Sequence, residues 1–172
     1  MVIIESERLQ FRHFLPEDID FLFALYDDAD VRRYFPEGRL TYEETKDEMD
    51  WYLHGHPDYP DLGLWATILK SSETFIGRCG LLPWTIDGAF EVEVAYMIAK
   101  DLWGQGFGTE AARAILDYGF NQLHLPRLIC LIDRDNRASI NVATKIGMTF
   151  EKEGVDDLGP YLLYSRMNPA LG

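Results

Sequence analysis

The stretch W-G-Q-G-F-G-T-E-A, Trp103 to Ala111, sets three glycines at alternate positions between a strand-like run, E-V-E-V-A-Y-M-I-A, and a helical run, A-A-R-A-I-L-D-Y-G-F. A helix start leaves backbone N–H groups unpaired and carries partial positive charge. Glycines there let the backbone curl into an anion-binding nest, and they admit ligand oxygens that a Cβ would hold off. Phosphate groups are the usual ligand of such a place. Gly104, Gly106 and Gly108 therefore predict a strand–loop–helix unit around a phosphate-bearing molecule, and three glycines exceed what a tight turn alone needs.

Two common phosphate-binding patterns fit poorly. A nucleoside-triphosphate loop needs Gly-Lys-Ser/Thr, whereas Gly108 is followed by Thr109 and Glu110, which removes the cation and adds a repelling carboxylate. The dinucleotide fingerprint needs a third glycine where Thr109 stands and a first βαβ unit, yet the motif lies past the middle of the chain.

The apolar period changes repeatedly between strand and helix values. Arg8 to His13 reads as the first strand, and Pro16-Glu17-Asp18 opens a helix with proline and acids suited to its first turn. Thr41-Tyr42-Glu43-Glu44 has the spacing of a capping box and starts a second helix, which His54-Gly55-His56-Pro57 ends. Leu64–Leu69 and Thr74–Leu81 flank a polar turn as a hairpin, and Phe90–Ala99 is a longer strand. After the glycines, Ala112, Ile115, Leu116, Gly119, Phe120 and Leu123 share one helical face. Arg127–Asp133 is a strand, Asn136–Ile146 a helix closed by Gly147, and Met148–Glu153 and Tyr161–Met167 are the last strands. The order predicts one α/β (α+β) domain spanning residues 1–172, with a mostly antiparallel sheet flanked by helices.

The 172 residues are enough for one sizeable core, and no apolar run approaches the ~18 residues of a membrane span. A net charge of −13 argues against nucleic acid as a partner and mildly favours a cationic substrate such as an amine or basic peptide. Cys79 and Cys130 sit in apolar runs and read as buried free thiols of a reducing, cytoplasmic compartment. His54 and His56 offer two imidazoles without a third ligand, so no metal is expected.

The chain resembles the GNAT acetyltransferases, and within them the ribosomal-protein N-terminal (RimJ/RimL-like) branch. The resemblance rests on S-E-R-L-Q-F-R and P-E-D-I-D near the start, on E-V-A-Y-M-I followed by W-G-Q-G-F-G-T-E-A, and on D-N-R-A-S-I-N-V-A-T-K-I-G-M. It implies acetyl-CoA as cosubstrate, with its pyrophosphate on the backbone of Trp103, Gly104, Gln105, Gly106, Phe107, Gly108 and Thr109. The pantetheine arm would lie along Tyr96, Met97, Ile98 and Ala99 like an added strand, in a gap where Glu91–Ala99 and Arg127–Asp133 splay apart. Asn136 would hold a pantetheine amide. Dimerisation is common among such proteins, though this sequence carries no marker of it.

Acetyl transfer to an amine needs a base for the ammonium proton, an oxyanion donor and a proton for the departing thiolate. Glu93, on the strand leading to the glycines, is the candidate base, because a carboxyl in a half-apolar cleft has a raised pKa. The resemblance agrees, since an acid at this strand position often serves as the base. A backbone N–H near Met97 or Ile98 would meet the oxyanion. The tyrosine that many GNAT branches place seven residues after the helix asparagine is Ala143 here; the nearer branch carries a serine three residues after that asparagine, so the resemblance implies Ser139 as the candidate proton donor, with water as the alternative. Ala95 stands where the branch usually has glycine, and D-D-L-G-P-Y-L-L-Y-S-R lacks the acid usual just before the last strand. The expected function is N-acetylation of a primary amine, on a protein N-terminus or a small molecule. The alternative is an acyl-CoA-binding or sensor module with little catalysis.

Overall fold

The computed structural model describes residues 1–172. Eight strands form one sheet in the order β1-β2-β3-β4-β5-β6-β8-β7. They are β1 (Val2–Glu5), β2 (Leu9–Arg12), β3 (Gly63–Leu69), β4 (Thr74–Ile86), β5 (Ala89–Ile98), β6 (Arg127–Ile132), β7 (Thr149–Asp156) and β8 (Gly159–Met167). Helices α1 (Ile19–Tyr26) and α2 (Tyr42–Trp51) join β2 to β3. Helix α3 (Phe107–Asn121) joins β5 to β6, and α4 (Arg137–Lys145) joins β6 to β7. Neighbouring strands run antiparallel except β5 and β6.

The local signals act as expected at several helix starts. Thr41 Oγ1 accepts from the Glu44 N–H and the Glu44 carboxylate accepts from the Thr41 N–H, which closes the capping box of α2. Asn136 caps α4 by accepting from the Ser139 N–H. Pro16–Asp18 forms a 3-10 turn ahead of α1 rather than the first turn of an α-helix.

Several elements depart from expectation; β4, for one, runs on to Ile86 rather than ending at Leu81. The sheet begins one strand earlier, at Val2, because a short apolar run can add to an existing edge without an alternating pattern of its own. The last strand starts at Gly159, not Tyr161, since Pro160 sits next to a hairpin turn where a missing N–H is tolerated.

The sheet separates two cores. Val92, Val94 and Ile98 of β5 pack with Ala111, Ala112, Ile115 and Leu116 of α3 on one face. Ala95 and Met97 pack with Leu22, Leu25 and Tyr26 of α1 and Met49 of α2 on the other. The alternation of β5 side chains divides the strand between these faces. Cys79 and Cys130 are buried and unpaired. No helix is long and apolar enough to cross a membrane.

Candidate active site

The sheet opens between β5 and β6. Strand β5 pairs with β4 from Ala89 to Ile98, but with β6 only at Glu93 and Ile129. The chain leaves β5 through a 3-10 turn at Lys100–Leu102 and enters α3, which diverts it from the sheet just where the two strands part. A cleft of about 1220 Å³ fills the gap.

Ladder geometry decides which backbone groups face that gap. The Ala99 N–H donates to the Ile76 carbonyl across the β4 side. Hydrogen-bonded pairs alternate along an antiparallel ladder, so Met97 also turns its N–H and C=O to β4, while Tyr96 and Ile98 turn theirs to the gap. The Ile98 carbonyl accepts from Trp103 Nε1 at 2.8 Å, which folds the indole back over the strand end. The N–H groups of Tyr96 and Ile98 lie on an edge with no β6 partner.

Gly104 and Gly106 adopt φ of +77° and +81°, a left-handed conformation that disfavours any Cβ. Gly108 is different, because it lies in the first turn of α3. A Cβ on it would meet nothing in the protein closer than Val142 Cγ2 at 3.9 Å. Packing does not require that glycine. The space beside it opens into the cleft, as a bound phosphate would require.

The loop is held from behind. Arg8 donates through Nη1 to the Gln105 carbonyl at 3.0 Å and stacks 4.2 Å from the Phe107 ring centroid. Glu110 accepts from Ser6 Oγ, from the Arg8 N–H and from Arg8 Nε, at 2.7, 2.7 and 2.6 Å. Burial opposes the Glu110 charge, but these hydrogen bonds outweigh it and hold the carboxyl below its usual range. Glu110 therefore braces the loop and does not line the cleft, so its charge is no argument against a triphosphate. The missing lysine still is.

Glu93 lies at the point where the strands part. Protein surrounds its half-buried carboxylate except along the cleft, and burial pushes its pKa up to about 7 against hydrogen bonds from the Trp84 indole, at 2.7 Å, and from the Leu131 backbone. Its side chain leaves the face of α1 and α2, opposite α3, where Tyr34, Phe35, Trp51, Tyr52 and Trp84 line the same cleft.

Across the gap, Ser139 is half-buried on α4 and lines the cleft, with its side chain beside the Tyr96 hydroxyl. Its carbonyl accepts from the Tyr96 hydroxyl at 3.1 Å, which ties α4 to β5 across the opening. Asn136 spends its Oδ1 on the helix cap, which leaves Nδ2 free of protein partners. Met97, Ile98, Trp103, Gly104, Gly106, Phe107, Gly108, Thr109 and Asn136 join Glu93 and Ser139 in the cleft wall, whereas Ala99 and Gln105 lie outside it.

The sequence reading missed several lining residues. Arg137 and Lys145 supply positive charge near the glycine loop; their signal was a basic pair flanking the α4 segment. Lys100 is paired with Asp30, and Arg113 donates to the Lys145 carbonyl. Arg32 and Arg78 line the acceptor side from positions 46 residues apart, with no shared motif.

The family model described as "Acetyltransferase (GNAT) domain" matches residues 8–149. The chain belongs to the GNAT acetyltransferase family. It is 37% identical to the uncharacterized protein YkkB of Bacillus subtilis (strain 168), over 86% of this chain and 85% of that protein. It is 26% identical to spermidine N(1)-acetyltransferase of Escherichia coli (strain K12), over 80% of this chain and 70% of that one. Among solved structures, a GNAT-family acetyltransferase from Bacillus anthracis superposes with a TM-score of 0.84 at 25% identity, covering 98% of this chain and 99% of that one. The ribosomal-protein-S5-alanine acetyltransferase of Vibrio fischeri shares the fold alone, with a TM-score of 0.75 at 15% identity over 98% and 97% of the two chains. The GNAT membership and the parted sheet agree with what the sequence resemblance implies.

Proposed function

We propose that this GNAT protein transfers acetyl from acetyl-CoA to a primary amine by direct attack within a ternary complex. The observation that carries the reading is the single cleft that joins the nest at Gly104–Gly108, the unpaired edge of β5 and the Glu93 carboxylate. The cosubstrate's pyrophosphate sits on the nest, with Arg137 and Lys145 nearby. Its amide-bearing arm pairs with Tyr96 and Ile98 as a short added strand.

Each group has one task. Glu93 accepts a proton from the ammonium, directly or through water, and frees the nitrogen lone pair. The nitrogen attacks the thioester carbon, and a backbone N–H on this unpaired edge of β5 stabilises the developing oxyanion. The C–S bond breaks, and the thiolate takes a proton from Ser139 or from water. A thiolate is a fair leaving group, so Ser139→Ala is expected to lower kcat by only about tenfold, leaving the amine KM unchanged. An unchanged kcat would assign that proton to water.

Cosubstrate binding is testable without an acceptor. Acetyl-CoA or CoA at ~100 times Kd is expected to stabilise the protein by about 2.7 kcal/mol, several degrees of midpoint, while ATP and NADH do little. No shift with either CoA species would remove the ligand from the glycine loop. The reading as an acyl-CoA-binding or sensor module predicts the same shift but no amine-accelerated loss of thioester, so turnover separates the two.

The E. coli relative acts on spermidine by its name, and the resemblance to the ribosomal-protein branch suggests a protein N-terminus. Both are amines, and acetylation of a primary amine is the part of the reading they share.

A further inference from the structure

The acceptor side of the cleft contains two buried guanidiniums whose donors are largely unpaired. Arg78 on β4 and Arg32 after α1 are 5% and 4% exposed, and both line the cleft. Arg78 uses only Nε, donating to the Tyr26 hydroxyl at 2.9 Å; its two Nη groups have no protein partner. Arg32 donates through Nε to the Gly38 carbonyl at 2.7 Å, and Nη2 approaches only the half-exposed Glu37, at 3.6 Å. The guanidinium carbons lie over the same two rings: Arg32 at 4.3 Å from Phe35 and 5.3 Å from Tyr26, Arg78 at 5.6 Å from Tyr26 and 5.8 Å from Phe35. The nearby carboxylate, Glu48, is bonded to the Tyr26 hydroxyl and makes no ion pair with either arginine.

Burying two guanidiniums is costly unless their remaining donors find partners, and Glu37 and Glu48 leave the Nη groups of Arg78 without one. Burial, and then repulsion from Arg78, lower the pKa of Arg32. Three Nη groups, both of Arg78 and Nη1 of Arg32, are left without a protein partner beside an open cleft, and such donors suit a carboxylate. Strand register places these donors relative to the base. Arg78 pairs with Met97 and Leu82 with Glu93, so Arg78 and Glu93 leave the same face of the sheet about 13 Å apart at the backbone. Only Ala95 lies between them on β5, and the side chains close most of that distance. The Tyr52 ring lines the cleft between the charges.

We infer that the acceptor is a zwitterion of amino-acid type, whose amine meets Glu93 and whose carboxylate is held by Arg78 and Arg32. The inference rests on the amine-acetylation reading and narrows it. A net charge of −13 points to a cationic substrate, but a chain total does not report the two buried guanidiniums that this side of the cleft presents. A polyamine would bring its second cation against two guanidiniums. A peptide N-terminus would bring an uncharged amide.

The test compares acceptors that differ by one group: ornithine with putrescine, and phenylalanine with both phenylethylamine and phenylalaninamide. The carboxylated member of each pair is expected to be favoured at least about 100-fold in kcat/KM. Arg78→Gln or, if that variant does not fold, Arg32→Gln is expected to raise KM for the amino acids and bring the ratio to within about threefold. CoA-induced stabilisation should persist and serves as the check on folding. Equal or better turnover of putrescine, phenylethylamine or phenylalaninamide overturns the inference and leaves acetyl transfer standing. If no amine is acetylated, acetyl transfer itself fails, and the midpoint of the CoA-loaded protein decides the inference. A rise with phenylalanine but not phenylethylamine supports the carboxylate site, and no such difference overturns it.

Discussion

Glu93→Gln is expected to lower kcat/KM for the amine by about 10²–10⁴-fold at pH 7.5 while making the folded protein more stable there. Both effects have one cause. Burial raises the folded pKa of Glu93 to about 7, against ~4.3 for an ordinary glutamate in the unfolded chain. Between those values the folded state holds the extra proton, so stability falls as pH rises through the window, and the loss is complete above the folded pKa. Glutamine never ionises, and it can still accept from the Trp84 indole. The variant should therefore match the wild type at pH 4 and exceed it by roughly 3 kcal/mol at pH 8, a shift of several degrees. The wild-type kcat/KM should fall on the acid side with an apparent pKa near 7, and the variant should lack that limb. Thermal melts at the two pH values, with pH–rate profiles of both proteins, check the prediction. Similar rates in both proteins from pH 6 to 9 would remove Glu93 from catalysis.

Gly108→Ala separates a glycine needed by the fold from one needed by a ligand. The position is helical and a Cβ has room, with Val142 at 3.9 Å. Alanine should stabilise the free protein by about 0.5–1 kcal/mol, because glycine is the poorer helix former. The same methyl stands between the backbone N–H groups and a bound phosphate. Each charge-assisted hydrogen bond lost costs about 1.5–3 kcal/mol, so the Kd for acetyl-CoA should rise about 10–100-fold. Calorimetric titration measures it. A Kd within twofold of the wild type would mean that no ligand approaches Gly108.

The parts of the site legible in the sequence are those whose signals are local. Trp103 to Thr109, the β5 run that feeds it and the cap at Asn136 each lie within one short segment, and strand-then-helix periodicity places them. Glu93 was legible because strand alternation sets its face. The donor cluster at Arg32 and Arg78 was not, because it draws on a loop after α1, on α2 and on β4, and no spacing links those segments. Charge counting pointed the other way, since a chain total cannot report which few charges are buried. Glu110 was misread for a related reason. Next to a glycine nest its charge looks repulsive, and only the fold reveals that Ser6 and Arg8, about a hundred residues earlier, turn it aside.

That contact has a consequence for how the protein comes into being. The nest is shaped by a segment made at the start of synthesis and by a helix made after its middle, so an emerging chain has no competent loop until the second reaches the first. Closing so wide a contact is a slow, late kind of event. Whatever the loop then grips stabilises the edge of the sheet as well as the helix. Ligand energy reaches the first strands through one carboxylate, and fraying of those strands loosens the loop in return.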